Sequence, residues 1–193
     1  MNKVCIIFII SFPLSVMAKE QEEKKELPPN MPVHTKLLWG ENGLFRKINI
    51  APKARQDELQ LRIKMLQLHQ KIALGTLGLF YYQTYLGTKL LDNYQYRESH
   101  ARMSKLVWSS YMLSAFLSYL APPAMVYSKN INSMKIHRYL SWVHFGGMAM
   151  LPFLGKNISE SGDYDGALAL HQNVAFATLF SMSLSALLSI LPY

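Results

Sequence analysis

Apolar and polar positions separate along this chain into four long charge-poor runs, residues 72–91, 106–127, 136–155 and 167–191, with the charges gathered between them. Each run is close to the ~20 residues a helix needs to cross a hydrocarbon core of about 30 Å. A buried helix of a soluble protein rarely runs so far without a charge, so the pattern predicts an all-α integral membrane four-helix bundle. The connections are short, which makes sequential helices antiparallel neighbours in an up-down arrangement.

The first apolar run is of another kind. Lys3 precedes the short stretch 4–16, and Val16-Met17-Ala18 presents small or apolar residues where a signal peptidase reads, ahead of the charged Lys19–Glu26. This predicts a cleavable signal over 1–18. Residues 19–52 then form an extracytoplasmic leader, charged and proline-rich at first and amphipathic from His34, with Trp39 and Phe45 suited to a headgroup region. A helix is expected from Pro52 onward, so that 53–193 is the membrane domain and His69 lies where the first helix enters the bilayer.

Composition narrows the chemistry. Cys5 is the sole cysteine and lies inside the predicted signal. Disulfides, thiolate zinc sites, cysteine-held iron–sulfur clusters and covalent haem attachment are thereby excluded for the processed chain. No HExxH, Walker or GxSxG pattern occurs, and the apolar runs offer no carboxylates for a di-metal centre. No internal repeat is evident. The net charge of +8 comes from Lys and Arg flanking the runs, which points to phospholipid headgroups rather than nucleic acid. Tyr81, Tyr82, Tyr85, Tyr94 and Tyr96 read as interface anchors.

Four histidines remain, His69, His100, His137 and His171, one at the start of each run and 31, 37 and 34 residues apart. An ionisable side chain at such a position is a functional hypothesis by default. With the N-terminus outside, helices one and three begin at the outer face and helices two and four at the inner. His69 and His137 then share one level, and His100 and His171 share the other. Two imidazoles facing across a bundle can hold an iron from both sides with a flat macrocycle between them. The residues four further on, Ala73, Ser104, Ser141 and Ala175, are small and leave room for such a ring.

One histidine per core helix at these spacings, in the stretches LHQKIALGTLGLFYYQ, ESHARMSKLVW, KIHRYLSWVHFGGM and LALHQNVAFATL, resembles the cytochrome b561 transmembrane family and its bacterial relatives over roughly residues 65–190. The resemblance implies two b-type haems, one near each face, and single-electron transfer across the bilayer. Their iron ligands would be His69 with His137 and His100 with His171, and Arg138, Lys71 and Arg102 would be placed to pair with propionates. The chain departs from the family in having only the four helices after signal removal. It also carries His144 seven residues after His137 on the same helical face. His144 is an alternative outer ligand or a neighbouring hydrogen-bonding group, and lying about 10 Å deeper it matches the level of His69 less well.

The functional expectation is a transmembrane electron conduit with no open iron position for substrate, in a bacterial inner membrane, with a lipid bilayer as its surroundings. Donor and acceptor are left open among quinol, a small reductant, ferric iron and a periplasmic redox protein, and a homodimer or larger complex is compatible. The alternatives are a non-redox four-span scaffold or complex subunit and, less in keeping with runs free of acidic residues, a transporter. One observation opposes the orientation: the loop 156–166 expected on the inner side holds Lys156 against Glu160, Asp163 and Asp165, where the positive-inside rule favours basic residues. Inverting the molecule changes the names of the faces and leaves the histidine pairs intact.

Overall fold

The computed structural model describes residues 27–190, and the expected signal over 1–18 lies outside them. The described chain is helical: α1 Val33–Trp39, α2 Leu44–Lys47, α3 Arg55–Asp92, a 3-10 turn at Tyr94–Tyr96, α4 Arg97–Tyr119, α5 Ser133–Glu160 and α6 Tyr164–Ile190. Local chemistry sets the boundaries. Asn132 caps α5 by accepting the Lys135 N–H at 2.8 Å, and Asp163 accepts the Gly166 N–H at 2.9 Å just ahead of α6, each satisfying an orphan donor of the first turn. α4 stops at Tyr119 and is followed by Pro122 and Pro123, which supply no N–H to prolong it.

The expected four-span membrane bundle is not what the helices form. Among the described residues, one helix, Tyr164–Ile190, is long and apolar enough to cross a membrane. The reason is that freedom from charge is not the same as apolarity. α3 carries Thr76, Gln83 and Thr84 within its uncharged stretch, α4 carries Ser109, Ser110 and Ser114 and ends before the predicted limit at 127. Hydroxyl and amide groups are costly in hydrocarbon even when neutral. The all-helical class holds, the span count does not.

α3 packs chiefly on α4 and α5 on α6, while α3 also meets α6 and α4 meets α5, so the helices close a ring with α3 opposite α5 and α4 opposite α6. The core lies at mid-length: Phe80 of α3, Val107 and Tyr111 of α4, Met148 of α5, and Leu179 and Met182 of α6. Gly147 is placed where an added Cβ would strike Thr178 Oγ1, so here glycine permits the close approach of α5 to α6. Gly75, Gly78 and Gly146 meet nothing within 4 Å and have no such role.

α1, α2 and the loop after α4 cap one end of the bundle. Trp39, expected at a headgroup boundary, is instead buried, donating Nε1–H to the Leu120 carbonyl at 3.1 Å with its ring edge-on to Phe45. His34, placed by sequence at the start of the amphipathic part of the leader, stacks on Tyr119 with ring centroids 4.3 Å apart. Beneath them Glu58, fully buried, pairs with Arg46 at 2.6 Å and Arg55 at 3.0 Å. Arg55 also donates to the carbonyls of Pro123 and Ala124, and Arg62 to that of Pro122 at 2.6 Å. α3 thus starts at Arg55, slightly later than expected, on a guanidinium clasp around the proline loop.

Candidate paired-histidine sites

The four histidines fall into two levels of the ring. At the capped end, His69 of α3 places Nδ1 2.8 Å from the Ser114 carbonyl of α4, and His137 of α5 places Nδ1 2.9 Å from the Ser185 carbonyl of α6. A carbonyl can only accept, so each Nδ1 bears a proton, and the lone pair of the neutral ring lies on Nε2. Ser114 strengthens the arrangement, its hydroxyl lying 2.9 Å from His69 Nδ1 and donating to the His69 carbonyl at 3.2 Å. The rings stand close enough for the charge of His137 to act on His69, and together with desolvation this holds the His69 pKa below its ordinary value, against the raising effect of its bond to Ser114. Desolvation is the largest cause. The neutral, ligating form is favoured.

At the other end, His100 of α4 and His171 of α6 stand within electrostatic reach of each other. Each is seated against a glycine of its neighbouring helix: a Cβ on Gly87 of α3 would lie 3.1 Å from His100 Cε1, and one on Gly155 of α5 3.3 Å from His171 Cε1. Burial lowers the pKa of His100, opposed by its hydrogen bond with Gln83. The Gln83 amide nitrogen sits 3.1 Å from Nδ1 and 3.2 Å from Nε2 of His100, while His171 Nδ1 is buried without a partner. A ligand bound between these rings requires Gln83 to yield one nitrogen of His100.

The contacts disclose a repeat that the sequence had hidden. From His69 to Gly87 and from His137 to Gly155 is 18 residues, and from His100 to Ser114 and from His171 to Ser185 is 14. The shifts of 68 residues that carry His69 to His137 and of 71 that carry His100 to His171 also relate buried Phe80 to Met148 (68), and Val107 to Thr178 and Tyr111 to Met182 (71 each). The hairpin α3–α4 is therefore repeated as α5–α6 about a quasi-two-fold axis along the bundle, with three extra residues between Gly155 and His171. Composition around each histidine differs too much for the repeat to be visible by identity. The signal was in the spacing of His, Gly and Ser.

This symmetry bears on His144. Its counterpart is Thr76, which has no ligating nitrogen, and His144 Nδ1 is instead hydrogen-bonded at 2.6 Å to the hydroxyl of buried Tyr111. His144 still lies within electrostatic reach of His137 and His69. The small residues expected to make room are less telling. Ser104 and Ser141 bond back to the carbonyls of Ala101 and Arg138 in their own helices. Of the three basic residues, Arg102 is exposed and 3.7 Å from Glu98, Lys71 is exposed, and Arg138 is exposed beside His34 and Arg62, on both of which its charge acts.

Among the described residues, no group of three or more His, Cys, Asp or Glu is set to hold a metal ion. The pairs offer two nitrogens each. A bare ion would lack protein ligands there, whereas a haem brings four nitrogens of its own and asks for two axial ones. The buried unpartnered Nδ1 of His171, the glycine seats and the free Nε2 atoms of His69 and His137 fit that demand. Comparison with family models, with curated proteins and with solved structures gives no match.

Proposed function

We propose that this protein is a b-type cytochrome that relays electrons along its bundle between two bis-histidine haems, held by His69 with His137 and by His100 with His171. The observation that carries the reading is the matched anchoring of His69 and His137, whose Nδ1 atoms donate to main-chain carbonyls at equivalent places in the two hairpins. Such an outer hydrogen bond fixes the tautomer and orients a ligating imidazole. Haem supplies reversible one-electron storage. The chain supplies two imidazoles per level, glycine seats that hold two of the rings, and a core of Phe80, Tyr111, Met148 and Met182 that keeps water from the space between levels. Were each pair of imidazoles to hold haem iron, no open position would remain for substrate, so quinol, a small reductant or a redox protein would exchange electrons at the edges. Membrane attachment rests on α6.

Visible spectra of the purified full chain, oxidised and dithionite-reduced, test the reading together with a pyridine haemochrome assay. The expected result is two non-covalent b haems per chain. His69→Ala and His137→Ala each remove one and the same haem, and His100→Ala and His171→Ala each remove the other. A colourless protein would end the proposal, and loss of different haems within a pair would undo the pairing.

A further inference from the structure

The two ends of the bundle differ in charge and in what they expose. Over residues 33–71 and 120–138, which form the capped end, Lys and Arg outnumber Asp and Glu eleven to three, whereas over 85–105 and 156–166 the two are equal at five each. The capped end also displays the most exposed aliphatic side chains described. Val33 and Leu37, one turn apart on α1, are 76% and 68% exposed, and Val126 and Ile131 of the loop after α4 are 77% and 78% exposed. α1 therefore turns Thr35 and Trp39 inward and an aliphatic stripe outward, with Lys36 exposed between. This inverts the usual arrangement of a surface helix.

Two further observations say what such a face meets. The Ser185 carbonyl that accepts from His137 lies near the end of α6 at Ile190, so the capped end stands at the level where α6, long and apolar enough to cross a membrane, terminates. The exposed set is lysine with aliphatic side chains, the composition of helices that lie in a lipid interface, whereas protein interfaces are depleted in lysine. We propose that this face is seated in the headgroup layer of an anionic phospholipid surface, Leu37 and Val126 entering the acyl boundary while Lys36 and Lys129 pair with phosphates and Lys135, half-exposed with Nζ donating to the Lys129 carbonyl at 3.0 Å, turns its remaining N–H groups to them. The proposal stands independently of haem.

Spin labels read it directly. In the full chain with Cys5→Ser, labels are placed through Leu37→Cys or Val126→Cys, and the protein is reconstituted into phosphatidylcholine vesicles with or without three-tenths phosphatidylglycerol. In the anionic vesicles both labels gain collisions with oxygen several-fold over a water-soluble nickel complex. The gain is smaller in phosphatidylcholine alone, and is lost with Lys36→Glu/Lys129→Glu/Lys135→Glu. The charge-matched set Lys89→Glu/Arg97→Glu/Lys105→Glu, at the other end, leaves it unchanged. Labels as open to nickel in anionic vesicles as in neutral ones would overturn the proposal. Labels shielded from both reagents would overturn it too, in favour of a protein occupant or a second copy of the chain.

Discussion

Glycine and histidine act as a unit in this bundle, because the edge of a ring can come this close to a neighbouring helix only where that helix lacks a side chain. Gly87 and Gly78 both lie in α3, yet a Cβ at Gly87 would press on His100 whereas one at Gly78 meets nothing within 4 Å. Gly87→Val should therefore displace the His100 ring, remove the haem at that level and cost about 1–3 kcal/mol from overpacking. Gly78→Val should leave both haems. Paired spectra and denaturation curves of the two variants make the comparison. His144 presents the opposite case, a histidine with ligand chemistry whose symmetry mate is Thr76. His144→Thr should keep two low-spin haem signals in electron paramagnetic resonance, and lose about 1 kcal/mol of stability with the Tyr111 hydrogen bond. Loss of a low-spin signal in that variant would make His144 the ligand in place of His137.

At the scale of elements, the cap depends on one acid. Glu58 is fully buried between Arg46 and Arg55, and removing one partner of a buried ion pair leaves the remaining charges uncompensated. Glu58→Gln is expected to destabilise the fold by roughly 3 kcal/mol, measured by chemical denaturation, and to speed proteolysis within residues 33–51. Sequence showed where the long helices run, because charge spacing and helix length leave a strong periodic record. It did not show how apolar they were in aggregate, since Ser, Thr, Gln and Tyr interrupt α3 and α4 without any charge to mark them. Nor did it show the burial of Trp39 or the stacking of His34 on Tyr119. Both depend on a clasp between α3 and the proline loop, residues about 60–70 apart in sequence, and no local pattern encodes a contact of that range.

For the molecule as a whole, the histidines couple folding to proton concentration. His69 and His100 have pKa values lowered from the usual 6.5, chiefly by desolvation. Above that value they are neutral in folded and unfolded chains alike, and their burial as neutral rings is fully stabilising. As pH falls below it, the unfolded chain takes up protons before the folded one does, so stability declines toward the lowered folded values. Thermal unfolding of the haem-free chain, in which these rings are unligated, should thus be flat between pH 7 and 8 and fall progressively from 6.5 downward. A midpoint rising on acidification would contradict the burial of these rings. The candidate site was legible as four residues in register, and its pairing as two levels. What supports them, Ser114, Ser185, Gly87, Gly155 and Gln83, was not, because serine and glycine are common in helices that pack closely.

The equal spacing within the hairpins has a consequence for how such a chain is assembled. A single hairpin bearing one histidine at each end would be incomplete alone, but two identical copies meeting about a common axis would bring like histidines together at both ends, as isologous contacts do. The present chain has the architecture of that dimer joined through the loop between α4 and α5. In a true dimer every change appears twice, so a Tyr–His hydrogen bond near the axis would come as two copies facing each other or not at all. Joining the halves lifts that restriction, and the bundle holds Tyr111 with His144 on one side against Met182 with Thr76 on the other.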